Sequence, residues 1–228
     1  SLNATDMDLD IVESVPADVE THGSTTAPAH TLFDIVRRLP EGTLVELDCT
    51  GSDNSLVLSA GRSRFTLNCL PTEDFPVLSG GELSHHFNLS AGNLRTLIDR
   101  TRFAISMEET RYHLNGIYLH IADSNGKPVL RAVATDGHRL ASIETPRPEG
   151  AEDMPGVIIP RKTVTELRKL IEETNENVSV AMSETKIRFA FEGVLLTSKL
   201  IDGTFPDYNR VIPNENDKVL EVDTKIFA

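Results

Sequence analysis

Cysteine is scarce. With two in 228 residues, a disulfide scaffold is excluded, and each closes an alternating run, Val45 to Cys49 and Phe65 to Cys69, so both are expected as reduced core thiols. Long apolar runs are absent as well. No stretch approaches the roughly 18 consecutive apolar residues of a membrane span, and the opening Ser1-Leu2-Asn3-Ala4-Thr5-Asp6 has neither a basic nor an apolar leader segment. A cytoplasmic protein without membrane association is the expectation. Aromatics make up only 5% of the chain, which leaves no stacking platform for single-stranded nucleic acid. Signatures of chemistry are also missing. There is no Gly-x-Ser-x-Gly elbow, no P-loop and no zinc-finger spacing. His85 and His86 are adjacent, so on a helix their rings would diverge, and no cysteine or carboxylate cluster completes a metal constellation with them or with Asp136 and His138. No catalytic residue, metal or cofactor is expected.

What is present is ordinary globular material, 39% apolar and 25% charged. The length favours more than one domain. A net charge of −13, taken as an average, argues against a nucleic-acid partner, because phosphate binding needs Lys and Arg. The distribution of charge therefore matters more than its sum.

An internal repeat organises the chain. Ala4-Thr5-Asp6 returns as Ala134-Thr135-Asp136 at an offset of 130, and Leu70, Phe75 and Pro76 return as Leu200, Phe205 and Pro206 at the same offset. Between them Pro28, Leu32, Asp34, Ile35, Arg37 and Leu39 align with Pro160, Val164, Glu166, Leu167, Lys169 and Ile171 at 132, a shift that one short indel explains. Leu220 to Asp223 resembles Phe87 to Ser90 at 133. The order strand, proline, amphipathic helix, strands, Phe-Pro turn thus occurs twice. The expected division is residues 1–80 as the later part of a first domain, 81–216 as a complete middle domain and 217–228 as the start of a third, in a chain cut at both ends.

Each repeat mixes the two element types. Ser90 is placed to cap a helix with Leu94, Leu97 and Ile98 on one face. Ile117, Leu119 and Ile121 alternate as a strand, Asn125-Gly126 suits a type I′ hairpin turn, Val129 to Val133 returns, and Asp136-Gly137 turns again. A second helix is expected from about Thr163, with Val164, Leu167, Leu170 and Ile171 apolar, followed by strands over Val178 to Met182, Ile187 to Phe191 and Val194 to Lys199, the last two joined at Glu192-Gly193. The fold class is α+β: repeated domains, each with two helices packed on antiparallel sheet.

Positive charge gathers on the helices. His30 to Leu39, Ser90 to Phe103 and Arg161 to Ile171 carry Arg37, Arg38, Arg95, Arg100, Arg102, Arg161, Lys162, Arg168 and Lys169 against Asp34, Asp99 and Glu166, a net of +6 where the rest of the chain carries −19. A charged helix face is commonly just a solvated one. Three equivalent helices with one bias point further, to a shared basic surface under an acidic exterior, suited to touching phosphates without reading bases. Duplex DNA bound without sequence specificity is the inferred partner; a protein-interaction module with a solvated basic face is the alternative.

Taken jointly, the segments Ala27 through Gly42, Gly61 to Phe65, Arg111 to Gly116, Val133 to Ala141, Ile159 to Lys162 and Thr197 to Tyr208 resemble the bacterial beta sliding clamp family, the beta subunit of DNA polymerase III. The resemblance implies a three-domain subunit that pairs head to tail into a homodimeric ring when full length, with helices lining the hole around duplex DNA, and processivity supplied to the replicative polymerase by topology. It also implies an apolar pocket for short peptides of the replicative polymerase, the clamp loader and repair polymerases, carried over to Leu114, Thr135, Gly137, His138, Arg139, Leu140, Pro206, Arg210 and Val211. DNA contacts are expected from Arg37, Arg95, Arg100, Arg102, Arg111, Tyr112, Arg161, Lys162, Arg168 and Lys169. His113 stands where the family often has a second aromatic, and Thr31 where a basic residue can occur. The residues alone would read Thr135 to Arg139 as a hairpin turn with Asp-Gly supplying φ > 0, and both readings can hold.

Overall fold

The computed structural model describes residues 1–49, 54–76, 78, 81–213 and 216–227; Gly80, at the expected first boundary, lies outside them. In chain order the elements are β1 (Leu2–Thr5), β2 (Leu9–Glu13), α1 (Ala29–Val36), β3 (Glu46–Asp48), β4 (Ser55–Ala60) and β5 (Ser63–Asn68), then β6 (His85–Ser90), α2 (Ala91–Asp99), β7 (Gly116–Ser124), β8 (Lys127–Thr135), β9 (Leu140–Pro146) and β10 (Val157–Pro160), followed by α3 (Arg161–Leu170), β11 (Asn177–Met182), β12 (Lys186–Phe191), β13 (Val194–Lys199) and α4 (Thr224–Phe227). All strand pairs are antiparallel. They make three sheets, ordered β1-β2-β13-β12-β11-β6, β10-β7-β8-β9 and β3-β4-β5.

Local chemistry explains the turns. Asn125 and Gly126 take φ of 53° and 78°, and Glu192 and Gly193 take 44° and 80°, the left-handed pair that joins β7 to β8 and β12 to β13 with the twist strands prefer. Ser90 Oγ accepts the Asn93 N–H and starts α2. Pro28 and Pro160, partners in the repeat, stand immediately before α1 and α3. The helix expected to reach Phe103 stops at Asp99 and continues after a break as a 3-10 turn, Arg102–Ala104.

The duplication extends to single hydrogen bonds. In the β1-β2 turn, Thr5 Oγ1 donates to Leu9 O and accepts from Met7 N, while Asp6 Oδ1 accepts from Asp8 N and Leu9 N. In the β8-β9 turn, Thr135 Oγ1 donates to Arg139 O and accepts from Gly137 N, while Asp136 Oδ1 accepts from His138 N and Arg139 N. Even the left-handed residue is shared, Met7 at 74° and Gly137 at 87°. Likewise Asp223 Oδ1 caps the start of α4, 133 residues after the Ser90 cap. Leu220 to Asp223, matched in sequence to β6, forms no strand.

One core joins most of the elements from β6 onward. Phe87, Leu94, Leu97, Ile117, Leu119, Leu130, Val164, Leu167, Val180, Ile187, Phe189 and Leu196 are all buried in it, each large side chain contributing roughly 1.5–3 kcal/mol by leaving water. α2 lies on β8 and β9, and α3 on β7 and β10. Leu9 and Ile11 of the first repeat reach the same core, because β2 pairs with β13 from Leu9↔Ser198 to Glu13↔Val194. The two repeats are thereby stitched through backbone hydrogen bonds into one six-stranded sheet. The cysteines depart from expectation: Cys49 is exposed and Cys69 half-buried, both free. The strand before Cys49 is the sheet-edge strand β3, exposed at every position, so its alternation lacks a covering layer.

Candidate functional site

Helices α2 and α3 and the cluster around Leu114, one of the residues expected to line a pocket, occupy opposite faces of one sheet. Along β7, Ile117 and Leu119 point into the main core beneath α2 and α3, whereas Tyr118 turns to a second cluster with Leu114, Val133, Ile158, Phe205 and Tyr208. Period-two alternation makes this separation unavoidable. A surface formed by the helices and a site on the sheet's other face can serve different partners at once.

Most of the expected DNA-contacting cations already have partners. Arg37 pairs with Asp34 at 2.9 Å, Arg111 with Glu108 at 3.2 Å and Lys169 with Glu166 at 3.0 Å. Asp99 receives Arg168 Nε on both oxygens at 3.0 Å and Arg102 Nη2 at 3.4 Å, tying α2 to α3. Lys162 reaches Asp6 in the first repeat's turn, and its ammonium lowers the Asp6 pKa to about 2. Arg95 Nη1 donates to the carbonyls of Ile171 at 2.8 Å and Thr174 at 2.6 Å, just beyond the end of α3, a fastening within the domain. Arg161 meets the Met107 sulfur. Arg100 is exposed without an ion-pair partner among the described residues. Exposed pairs of this kind exchange readily, since each contributes at most about 1 kcal/mol, so a phosphate can compete for the cation.

On the other face the structure gathers Leu114, Thr135 and Leu140. Leu114 is buried in the second cluster, Leu140 packs against it, and Thr135 is the cross-strand partner of Leu140. Gly137, His138 and Arg139 form the exposed turn above them. Pro206, Arg210 and Val211 sit on the covering segment next to Phe205 and Tyr208, with Val211 70% exposed. Arg111 and Tyr112, expected on a DNA loop, also approach this site: a Cβ at Gly137 would lie 2.9 Å from Arg111 Nη1, and one at Gly203 would lie 3.2 Å from Tyr112 Cε2. Arg139 is held by Asp136 at 2.9 Å and lies over the exposed Phe103 ring at 5.8 Å.

Sequence reasoning missed the layer beneath. Phe205, Tyr118 and His120 stack, with ring centroids 4.8 and 4.6 Å apart, and Tyr208 closes the cluster. Their signal was the second phase of the strand whose first phase is Ile117, Leu119 and Ile121. Among the described residues no group of three or more His, Cys, Asp or Glu is arranged to hold a metal, and no helix is long and apolar enough to cross a membrane.

The family models decide the affiliation. The central-domain model of the DNA polymerase III beta subunit matches residues 88–207, and the N-terminal-domain model matches residues 1–79. The chain belongs to the DNA polymerase III beta subunit family. It is 54% identical to the beta sliding clamp of Caulobacter vibrioides over its entire length, and 41% identical over 98% of its length to that of Pseudomonas aeruginosa. It spans 61% and 59% of those beta clamps. A solved Caulobacter crescentus beta sliding clamp superposes with a TM-score of 0.95 at 53% identity, covering 99% of this chain and 60% of the clamp. The DnaN clamp of Bartonella birtlesii, solved bound to griselimycin, gives 0.90 at 51%, covering 94% and 57%. The repeated α+β clamp-domain fold read from the sequence is therefore that of the family.

Proposed function

We propose that the full-length protein is a DNA sliding clamp: a homodimeric ring around duplex DNA that confers processivity on the replicative polymerase and performs no chemistry itself. Residues 1–80, 81–216 and 217–228 are assigned to its first, middle and third domains, and the ring acts in the cytoplasm. The observation that carries the proposal is the division of one sheet between two faces, with basic α3 and the exposed Arg100 that ends α2 on one and the Leu114-Leu140 cluster on the other. Arg37, Arg95, Arg100, Arg102, Arg111, Tyr112, Arg161, Lys162, Arg168 and Lys169 are the candidate DNA contacts, led by the exposed Arg100. Weak, exchangeable phosphate contacts suit a ring that must slide. Leu114, Thr135, Gly137, His138, Arg139, Leu140, Pro206, Arg210 and Val211 are assigned to a peptide pocket, in which a partner's apolar anchor enters over Leu114 and Leu140. Short segments of the replicative polymerase, clamp loader and repair polymerases are the proposed occupants.

Titrating a synthetic peptide of the replicative polymerase's C-terminal residues against the full-length protein tests the pocket. Replacing His138 and Leu140 with alanine should weaken binding by roughly tenfold or more, since central apolar anchors commonly contribute over 1 kcal/mol each. Undiminished affinity would remove those residues from the site.

A further inference from the structure

The covering segment 206–211 bears three of the proposed pocket residues, and its fastening to the sheet is specific. Tyr208, at the start of the 3-10 turn Tyr208–Val211, directs its hydroxyl to two groups: Arg131 Nη1 donates to it at 3.2 Å, and His120 Nε2 lies 2.9 Å away. His120 Nδ1 lies 2.9 Å from Ile121 O, which can only accept, so Nδ1 carries the proton and Nε2 accepts from Tyr208. Arg131 is fixed in turn by Glu144, with Nη2 at 2.8 Å and Nε at 3.1 Å from Oε2, while Ser124 Oγ donates to Glu144 Oε1 at 2.6 Å. His120 and Arg131 are cross-strand partners of β7 and β8. Each link in the chain Ser124, Glu144, Arg131, Tyr208, His120, Ile121 sets a donor against an acceptor.

We propose that the hydrogen-bonded clip of His120, Arg131 and Tyr208 positions residues 206–211 as one wall of the peptide pocket. This rests on the pocket reading above. Tilted and edge-on ring contacts with His120 and Phe205 alone would hold Tyr208 against the sheet but would leave the turn free to slide; two directional bonds to one hydroxyl fix where Pro206, Arg210 and Val211 stand. The clip requires a neutral His120. A proton at Nε2 would turn the acceptor into a donor against a hydroxyl already receiving Arg131, and would set a second cation beside it. The groups around His120 are Tyr118 on its own strand, Arg131 on β8, Glu144 on β9 behind Arg131, and Tyr208 on the covering turn, where Asp207 and Arg210 pair with each other at 2.8 Å. Burial first, and Arg131 in addition, hold the imidazole below its ordinary pKa, so the clip stays intact through the usual histidine value and opens as pH falls through the lowered one.

The test measures affinity of the full-length protein for the polymerase C-terminal peptide at several pH values. Tyr208→Phe keeps the ring and removes the hydroxyl; it should weaken binding by roughly fivefold, the factor set by one ordinary hydrogen bond. Glu144→Gln, at the surface end of the chain, should act in the same direction and serves if Tyr208→Phe does not fold. On acidification below the usual histidine range, wild-type affinity should fall more steeply than that of His120→Gln, which retains an acceptor without a titrating ring. If Leu140→Ala abolishes binding while the clip variants bind like wild type and the two pH profiles coincide, the clip is refuted and the pocket stands. If Leu140→Ala binds as tightly as wild type, the pocket reading itself fails and the clip with it.

Discussion

Two aspartates 130 residues apart sit in equivalent turns and respond to acid for different reasons. Asp6 is held at a pKa of about 2 chiefly by the Lys162 ammonium, and Asp136 at about 2 chiefly by the N–H of His138 and then that of Arg139. Both are depressed relative to an unfolded carboxylate, so each favours the folded turn above the usual carboxylate range, and that contribution disappears as pH falls through about 2. Lys162→Ala should therefore raise the pKa of Asp6 while leaving Asp136 near 2, which a carboxyl NMR titration reads directly. Equal movement of both, or of neither, would contradict this assignment. Gly137 in the same turn has a φ of 87°. Gly137→Ala should cost about 1–2 kcal/mol in a denaturant melt, the usual penalty for a side chain in the left-handed region. The turn itself should survive, because Met7 occupies the equivalent position at 74°; an unchanged midpoint would show that the turn relaxes elsewhere.

Among elements, the pairing of α2 with α3 is the joint on which the basic face depends. Arg95 fastens one to the other by donating to carbonyls beyond the end of α3, and Asp99 does so through Arg168. Bonds from a charged donor are worth about 1.5–3 kcal/mol, so Arg95→Ala should lower the stability of the middle domain by that order, visible as a reduced melting temperature without DNA present. Unchanged stability would free Arg95 to act as a phosphate contact alone. The strands, hairpin turns and Ser90 cap were legible in the sequence because each depends on residues within a few positions. Long-range partnerships were not. Lys162 meets Asp6 across 156 residues and His120 meets Tyr208 across 88, and nothing in local spacing signals either. The cysteines misled for a related reason: alternation predicts a face, but burial needs a second layer, which β3 lacks.

At the scale of the whole molecule, the acidic total and the basic helices are compatible once charge is sorted by surface. Three amphipathic segments of the sequence share a basic bias, but the structure divides it unevenly: α1 holds no Lys or Arg, α2 holds Arg95 against Asp99, and α3 carries the excess. The proposed pocket rests on the family resemblance alone, and the aromatic layer of Tyr118, His120, Phe205 and Tyr208 was signalled by neither the repeat nor the resemblance. On the proposed clamp reading, a lining whose cations are mostly ion-paired would hold DNA weakly by contact, and retention would come from encirclement. The most direct measurement is the lifetime of the full-length protein on nicked circular DNA after loading by its cognate clamp loader, before and after the circle is cut. Encirclement predicts long residence on the circle and rapid loss by sliding off the linear product; equal lifetimes on the two forms would contradict it.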